Sequence, residues 1–213
     1  MAERPCIQRF GYVAIRFVAR LTFVVVFRMR CDGRENIPAT GPLLVCSNHQ
    51  SVLDPVIVGV AFNRRLNYLA RESLFRFAPF RWLIRFLDAI PLDRDGLGLA
   101  GLRESMRRIK RGEGVLIFPE GTRTTDGSVL PLKAGFCALA RRGKVSVLPV
   151  GFDGAFDAWP RTAKLPRAST IHLCIGQPLG PDAIAKLDDR ALVAEVEQRI
   201  RDCYQRARTG RRF

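Results

Sequence analysis

The chain is short of histidine and of acid. Two histidines stand in 213 residues, and 20 Asp and Glu face 35 Lys and Arg for a formal charge of +15. So few imidazoles leave little room for a histidine-rich metal site or a multi-histidine mechanism. The six cysteines, Cys6, Cys31, Cys46, Cys137, Cys174 and Cys203, form no CxxC pair. Most lie in apolar runs as small core residues do, and reduced thiols in a cytoplasmic setting are the plain reading. No GxxxxGK[ST] loop cradles a nucleotide triphosphate, and no GxSxG turn offers a serine nucleophile. No internal repeat of solenoid length is present, and no linker divides the chain. No signal-peptide pattern stands at the start, and no uncharged apolar run approaches the ~20 residues that cross a bilayer.

What is present is a hydrophobic fraction of 47%, which places the chain among folded domains, and a length that fits one domain. The positive charge is carried mostly by arginine and calls for an anionic partner: nucleic acid, lipid headgroups or phosphorylated metabolites. No helix-turn-helix or aromatic RNA-binding pattern accompanies it, so the expected partners do not include nucleic acid. Residues 1–30 form an N-terminal segment of their own character. At about 100° per residue, Arg9, Arg16 and Arg20 share one narrow stripe of a helix whose remaining surface is nearly all apolar. Such a helix either lies at a membrane interface with its arginines reaching anionic headgroups, or packs on the core with its stripe in water.

Residues 31–205 alternate between extended and helical patterns. Strands are expected at Phe27–Asp32, Pro42–Cys46, Asn67–Ala70, Ala89–Leu92, Val115–Phe118, Val145–Val150 and Thr170–Ile175. Helices are expected at Val52–Phe62, Ala78–Leu87, Leu99–Arg111, Ala134–Arg142 and Asp189–Arg208. This order predicts an α/β domain with a mainly parallel central sheet flanked by helices. Residues 206–213 read as a basic, frayed tail.

Loops beyond the carboxyl ends of parallel strands are where α/β sheets bind ligands. Three polar loops follow predicted strands: Ser47 to Pro55, Ile90 to Asp95, and Phe118 to Arg123. In the first, Asp54 follows His49 by one short turn. A carboxylate on one ring nitrogen would leave the other free as a base for a hydroxyl; by spacing alone the plainer reading is that Asp54 only caps a helix and His49 is a polar loop residue. In the third, Glu120 is suited to accept a bond from a polyol hydroxyl and Arg123 to hold a phosphate. Arg94 in the second is a further candidate for an anion. His172 lies in an alternating strand pattern and reads as structural. A metal hydrolase built on His49, Asp54 and Glu120 has too few ligands to stand on.

Taken in order, these segments resemble the glycerophospholipid acyltransferase family, of which 1-acylglycerol-3-phosphate acyltransferase is the type. Its NHxxxxD block is matched by Asn48, His49 and Asp54, its arginine-ended extended block by Ala89 to Arg94, and its FPEGTR block by Phe118 to Arg123. Its V-x-P-V strand is matched by Val147, Leu148, Pro149 and Val150, and a lysine–x–glycine by Lys133 to Gly135. Two positions depart from the pattern: Asp88 where a glycine usually opens the second block, and Phe136 where a small residue is common. The resemblance spans about Gly33 to Gly176. It implies that His49, oriented by Asp54, deprotonates the sn-2 hydroxyl of 1-acylglycerol-3-phosphate, or of another lysophospholipid or lyso-ornithine lipid. That hydroxyl then attacks the thioester of acyl-CoA or acyl carrier protein. Arg94, Glu120, Gly121, Arg123 and Lys133 would hold the acceptor, and Val147, Pro149 and Val150 would line the acyl chain. Neither metal nor cofactor is implied. Arg16 and Arg20 of the first helix, with Phe80 and Trp82 of the segment Phe75 to Leu87, would anchor the enzyme to an anionic membrane surface at the cytoplasmic face.

Overall fold

The computed structural model describes residues 6–71, 89–92 and 99–211. Helix α1 (Cys6–Val26) leads into β1 (Arg30–Asp32), and β2 (Leu43–Ser47) and α2 (Asp54–Ala61) follow. Next come β3 (Leu66–Arg71), β4 (Ala89–Leu92), α3 (Leu99–Lys110), β5 (Gly114–Ile117), α4 (Gly135–Gly143) and β6 (Ser146–Asp153). The chain closes with α5 (Ala155–Ala158), β7 (His172–Ile175), α6 (Pro181–Ala185) and α7 (Asp189–Gly210). Among the described residues seven strands form one sheet in the order β1-β7-β6-β2-β5-β3-β4. Among these strands each pairing is parallel except that of β6 with β7.

Strand β2 lies at the centre and shows how the layers arise. It is buried throughout, and its side chains alternate between faces with the period of 2 that a strand imposes. Leu43 and Val45 join Phe23, Phe27, Ile57 and Phe62 on the face covered by α1 and α2. Leu44 and Cys46 join Ile109, Phe136, Leu139, Leu192 and Ile200 on the face covered by α3, α4 and α7. The helix α7 buries Leu192, Val196, Ile200, Cys203, Tyr204 and Ala207 along one stripe, and its start is capped by Asp188, which accepts from the Ala191 N–H at 2.7 Å.

Some boundaries differ from the sequence reading. Phe27 lies just past the end of α1 and not in a strand: its N–H bonds to the Phe23 carbonyl, Arg28 takes a left-handed φ of 41°, and only Arg30 onward is strand. The tail expected to fray from Arg206 is helical to Gly210, because Ala207 is buried and Arg211 pairs with Asp153 at 3.0 Å and with Asp157. The short helices α5 and α6 were too brief to carry a periodic signal. The expected helix Ala78–Leu87 lies outside the described residues.

The topology also sets which end of the sheet each element reaches. Because β6 and β7 are antiparallel while β1 and β7 are parallel, Arg30 at the start of β1 aligns through His172 with Asp153 at the end of β6. Helix α1 therefore descends to the edge at which β2, β5 and β6 end.

Candidate active site

At that edge β2 gives way to the run Ser47 to Ser51, held in place by side chains to which the sequence reading gave no role. Asn48 is fully buried and makes both amide bonds to the Phe152 backbone, each 3.0 Å, tying the end of β2 to the end of β6. Gln50, also fully buried, bonds the Gly127 carbonyl at 2.7 Å and the Phe156 N–H at 3.2 Å. Only the pattern of polar residues after an apolar strand hinted at this, since each partner is distant in sequence.

His49 between them faces Asp54 in the first turn of α2. His49 Nδ1 lies 2.7 Å from Asp54 Oδ2, with 20% of the His49 side chain exposed and none of Asp54. The same Oδ2 accepts the backbone N–H of Gln50 at 2.6 Å and of Ser51 at 2.7 Å. An oxygen already taking two amide protons is an acceptor toward the ring as well, so the proton sits on Nδ1 and the Nε2 lone pair is free. Burial pushes the Asp54 carboxyl up, and the bond to His49, its charge and the Ser51 and Gln50 amides pull against that. Pro55 fits the first turn of the helix that presents Asp54.

The loop after β5 grips the same histidine. Phe118 stacks on the His49 ring, with centroids 4.1 Å apart and planes at 14°. The His49 N–H donates to Glu120 Oε1 at 3.1 Å, and the Thr124 N–H donates to the His49 carbonyl at 2.8 Å. Glu120 is 2% exposed, and its Oε2 has no partner. Burial, aided by the nearby Asp54 charge, pushes its carboxyl up to about 8 against the opposing pull of the His49 and Leu130 amides and the charge of Arg201. Two buried carboxyls thus meet one histidine, Asp54 at its ring and Glu120 at its backbone. Three donors on one oxygen make Asp54 the charged one, and Glu120 is the one that keeps a proton at neutral pH.

Gly121 has a φ of 73°, and a Cβ there would come within 3.0 Å of Lys133 Nζ. The turn needs glycine, and the close approach lays the Lys133 stem across it. Among the described residues neither Arg123 nor the Lys133 ammonium has an ion-pair partner, so the loop presents uncompensated positive charge beside the histidine. The geometry can hold a base on one side of an incoming group and an anion on the other.

Other expected residues are placed differently. Val147 and Pro149 face α7 while Val150 faces the α1 and α2 side, since alternate residues of a strand point to opposite faces. Val147 and Val150 are fully buried in the core, so the three do not form one continuous floor. Arg16 is half-buried and Arg20 exposed. Arg94, Phe80 and Trp82 lie outside the described residues. His172 is buried and bonds Asp32 at 2.8 Å. The run Gly96-Leu97-Gly98-Leu99-Ala100-Gly101 has GxGxxG spacing, but it follows the edge strand β4 and not a switch point in mid-sheet, which is where such a turn binds a dinucleotide. No three His, Cys, Asp or Glu side chains among the described residues are grouped to hold a metal ion.

Comparison with known proteins meets this geometry. The structure resembles the crystal structure of the 1-acyl-sn-glycerophosphate acyltransferase from Thermotoga maritima with a TM-score of 0.81 and 28% identity, covering 96% of this chain and 83% of that one. The 1-acyl-sn-glycerol-3-phosphate acyltransferase of Pseudomonas aeruginosa is 35% identical over 90% of this chain and 77% of its own length. That of Bacillus subtilis is 29% identical over 80% of this chain and 85% of its own. A model of the Acyltransferase family matches residues 28–153, the stretch that runs from the end of α1 through both loops around His49 to the end of β6. The edge that holds His49 is thus carried by the part of the molecule that its relatives share, and the chain belongs to the acyltransferase family.

Proposed function

We propose that this acyltransferase moves a fatty acyl group from acyl-CoA or acyl carrier protein to the free sn-2 hydroxyl of 1-acylglycerol-3-phosphate, giving phosphatidic acid. The observation that carries the reading is the His49–Asp54 pair at the carboxyl edge of the sheet, with Nε2 free and a cationic loop beside it. The names of the two relatives and of the solved structure support this acceptor. In this reading His49 Nε2 takes the hydroxyl proton as the oxygen attacks the thioester carbonyl. Collapse of the adduct breaks the C–S bond, and the imidazolium returns the proton to the thiolate. Asp54 holds the tautomer and stabilises the imidazolium, and a base so placed contributes roughly 10²–10⁴-fold in rate. Arg123 and Lys133 hold the phosphate, joined by Arg94 through its place in the second motif.

Helix α1 lies at the membrane interface in the same reading. Phe17, Val18, Leu21, Val24 and Val25 are exposed on it, and the partner is an anionic surface at the cytoplasmic face. The test is thiol release from palmitoyl-CoA, with and without lysophosphatidic acid, for wild type and His49→Ala. Release should require both the acceptor and His49, and Arg123→Ala should raise the acceptor KM about 10- to 100-fold by removing a charged hydrogen-bond donor. Release that survives His49→Ala would end the proposed chemistry. Release only with a different lysolipid would keep the acyl transfer and overturn the acceptor.

A further inference from the structure

Glu120 sits in the loop whose neighbours face the acceptor, yet its own carboxyl does not face solvent. It is 2% exposed, and Oε1 is taken by the His49 N–H at 3.1 Å. Four residues on, the Thr124 N–H bonds the carbonyl of the same histidine at 2.8 Å, and Phe118 lies flat against its ring. One loop therefore clasps His49 at its N–H, its carbonyl and its ring face. Asp54 fixes only the ring nitrogen and the two amides that follow. The rotation of the ring about its own backbone is set by what holds that backbone, and the His49 N–H and carbonyl are both bonded by the loop after β5.

We propose that Glu120 is a positioning residue that acts on the reaction through the His49 backbone and makes no contact with the acceptor. The inference rests on the reading of His49 as the base. What the position demands is an acceptor atom at the reach of a glutamate, not a negative charge. The raised carboxyl supports this, because a group that keeps its proton near neutral pH offers Oε1 as a carbonyl-like acceptor. Glutamine reproduces that atom at the same distance from the backbone. Aspartate keeps the carboxyl but is one methylene too short to reach.

Glu120→Gln, Glu120→Asp and Glu120→Ala should be compared with wild type and His49→Ala in the thiol-release assay, with kcat and both KM values measured. Glu120→Gln should keep kcat within about threefold. Glu120→Asp and Glu120→Ala should lower it about 10- to 100-fold, the effect of losing one buried, aligned hydrogen bond. The KM for acceptor and for thioester should stay within about twofold in all three. An acceptor KM raised tenfold with kcat kept would place Glu120 on the substrate and overturn the proposal. So would Glu120→Asp outperforming Glu120→Gln, since that order needs the charge and not the reach. Should Glu120→Ala fail to fold, the Gln and Asp pair decides alone. Activity surviving in His49→Ala would instead strike at the base itself, so the two failures are distinct.

Discussion

Asp54 and Glu120 are both carboxyls, both buried, and both bonded to His49, and their surroundings drive them to different states. Each leaves one oxygen without a partner, but Asp54 gathers three donors on the other oxygen, whereas Glu120 meets only the amides of His49 and Leu130. A carboxyl whose folded value is raised binds more protons in the native state than in the unfolded chain, so its contribution to stability is complete at low pH and is lost as pH rises. For Glu120 the window runs from its ordinary 4.5 to about 8. Asp54 is also raised, by burial, and adds in the same direction. The urea midpoint of the wild type should therefore fall between pH 5 and 8. Glu120→Gln, which has nothing to titrate, should show a shallower fall over that range. Parallel profiles for the two proteins would mean that Glu120 is ionised in the folded state at neutral pH.

At the level of elements, the site depends on β6 being held against both β2 and α7. Asn48 closes the first contact by its two bonds to Phe152. The second is a direct meeting of backbones: a Cβ at Gly151 would lie 2.3 Å from the Tyr204 nitrogen and 2.7 Å from the Cys203 carbonyl carbon. Neither atom can swing aside as a side-chain tip would, so Gly151→Ala should push α7 off the sheet. A loss of about 3 kcal/mol in urea denaturation is expected, the upper end of overpacking costs; an unchanged midpoint would show that α7 is not seated there. Contacts of this kind are why the sequence was legible in one part and opaque in another. His49 and Asp54 are five residues apart and meet within a single turn, so spacing made the pair a candidate, although helix capping by Asp54 was the plainer reading of it until the resemblance was added. Glu120 and His49 are separated by 71 residues. They meet only because β2 pairs with β5, with Cys46 opposite Ile117, and that register is written in no local pattern. The strands were readable as apolar runs, but the reading of Val147, Pro149 and Val150 as one lining assumed a common face that strand alternation denies. Phe27 looked like strand because it is aromatic and apolar. It instead closes the end of α1, its N–H bonding the Phe23 carbonyl and its ring packing beside that of Phe23 at 5.0 Å.

For the whole molecule, a strongly basic chain is joined to an exposed apolar helix that reaches the edge of the sheet where His49 stands. The chain carries +15. Helix α1 buries only Phe23 of its described apolar side chains and half-buries Ala19, while Phe17 is 68% exposed and Val25 66%. Among the described residues no helix is long and apolar enough to cross a membrane. The chain ordering of β1, β7 and β6 brings the C-terminal end of α1 to the edge where His49 stands, so a surface that takes up α1 also meets the mouth of the site. Binding to vesicles of phosphatidylcholine containing phosphatidylglycerol should exceed binding to phosphatidylcholine alone and weaken as salt rises, because the attraction to headgroups is screened within about 10 Å at 0.1 M. The double change Leu21→Ser with Val25→Ser removes roughly 3 kcal/mol of apolar burial, which corresponds to about a 100-fold loss of vesicle affinity. Both residues are exposed, so the fold should be unaffected, and thiol release with detergent-dispersed lysophosphatidic acid should persist. Undiminished vesicle binding by that variant would mean that α1 is not the contact. Equal binding to charged and uncharged vesicles would leave the arginine excess unrelated to the bilayer and free to serve an anionic substrate alone.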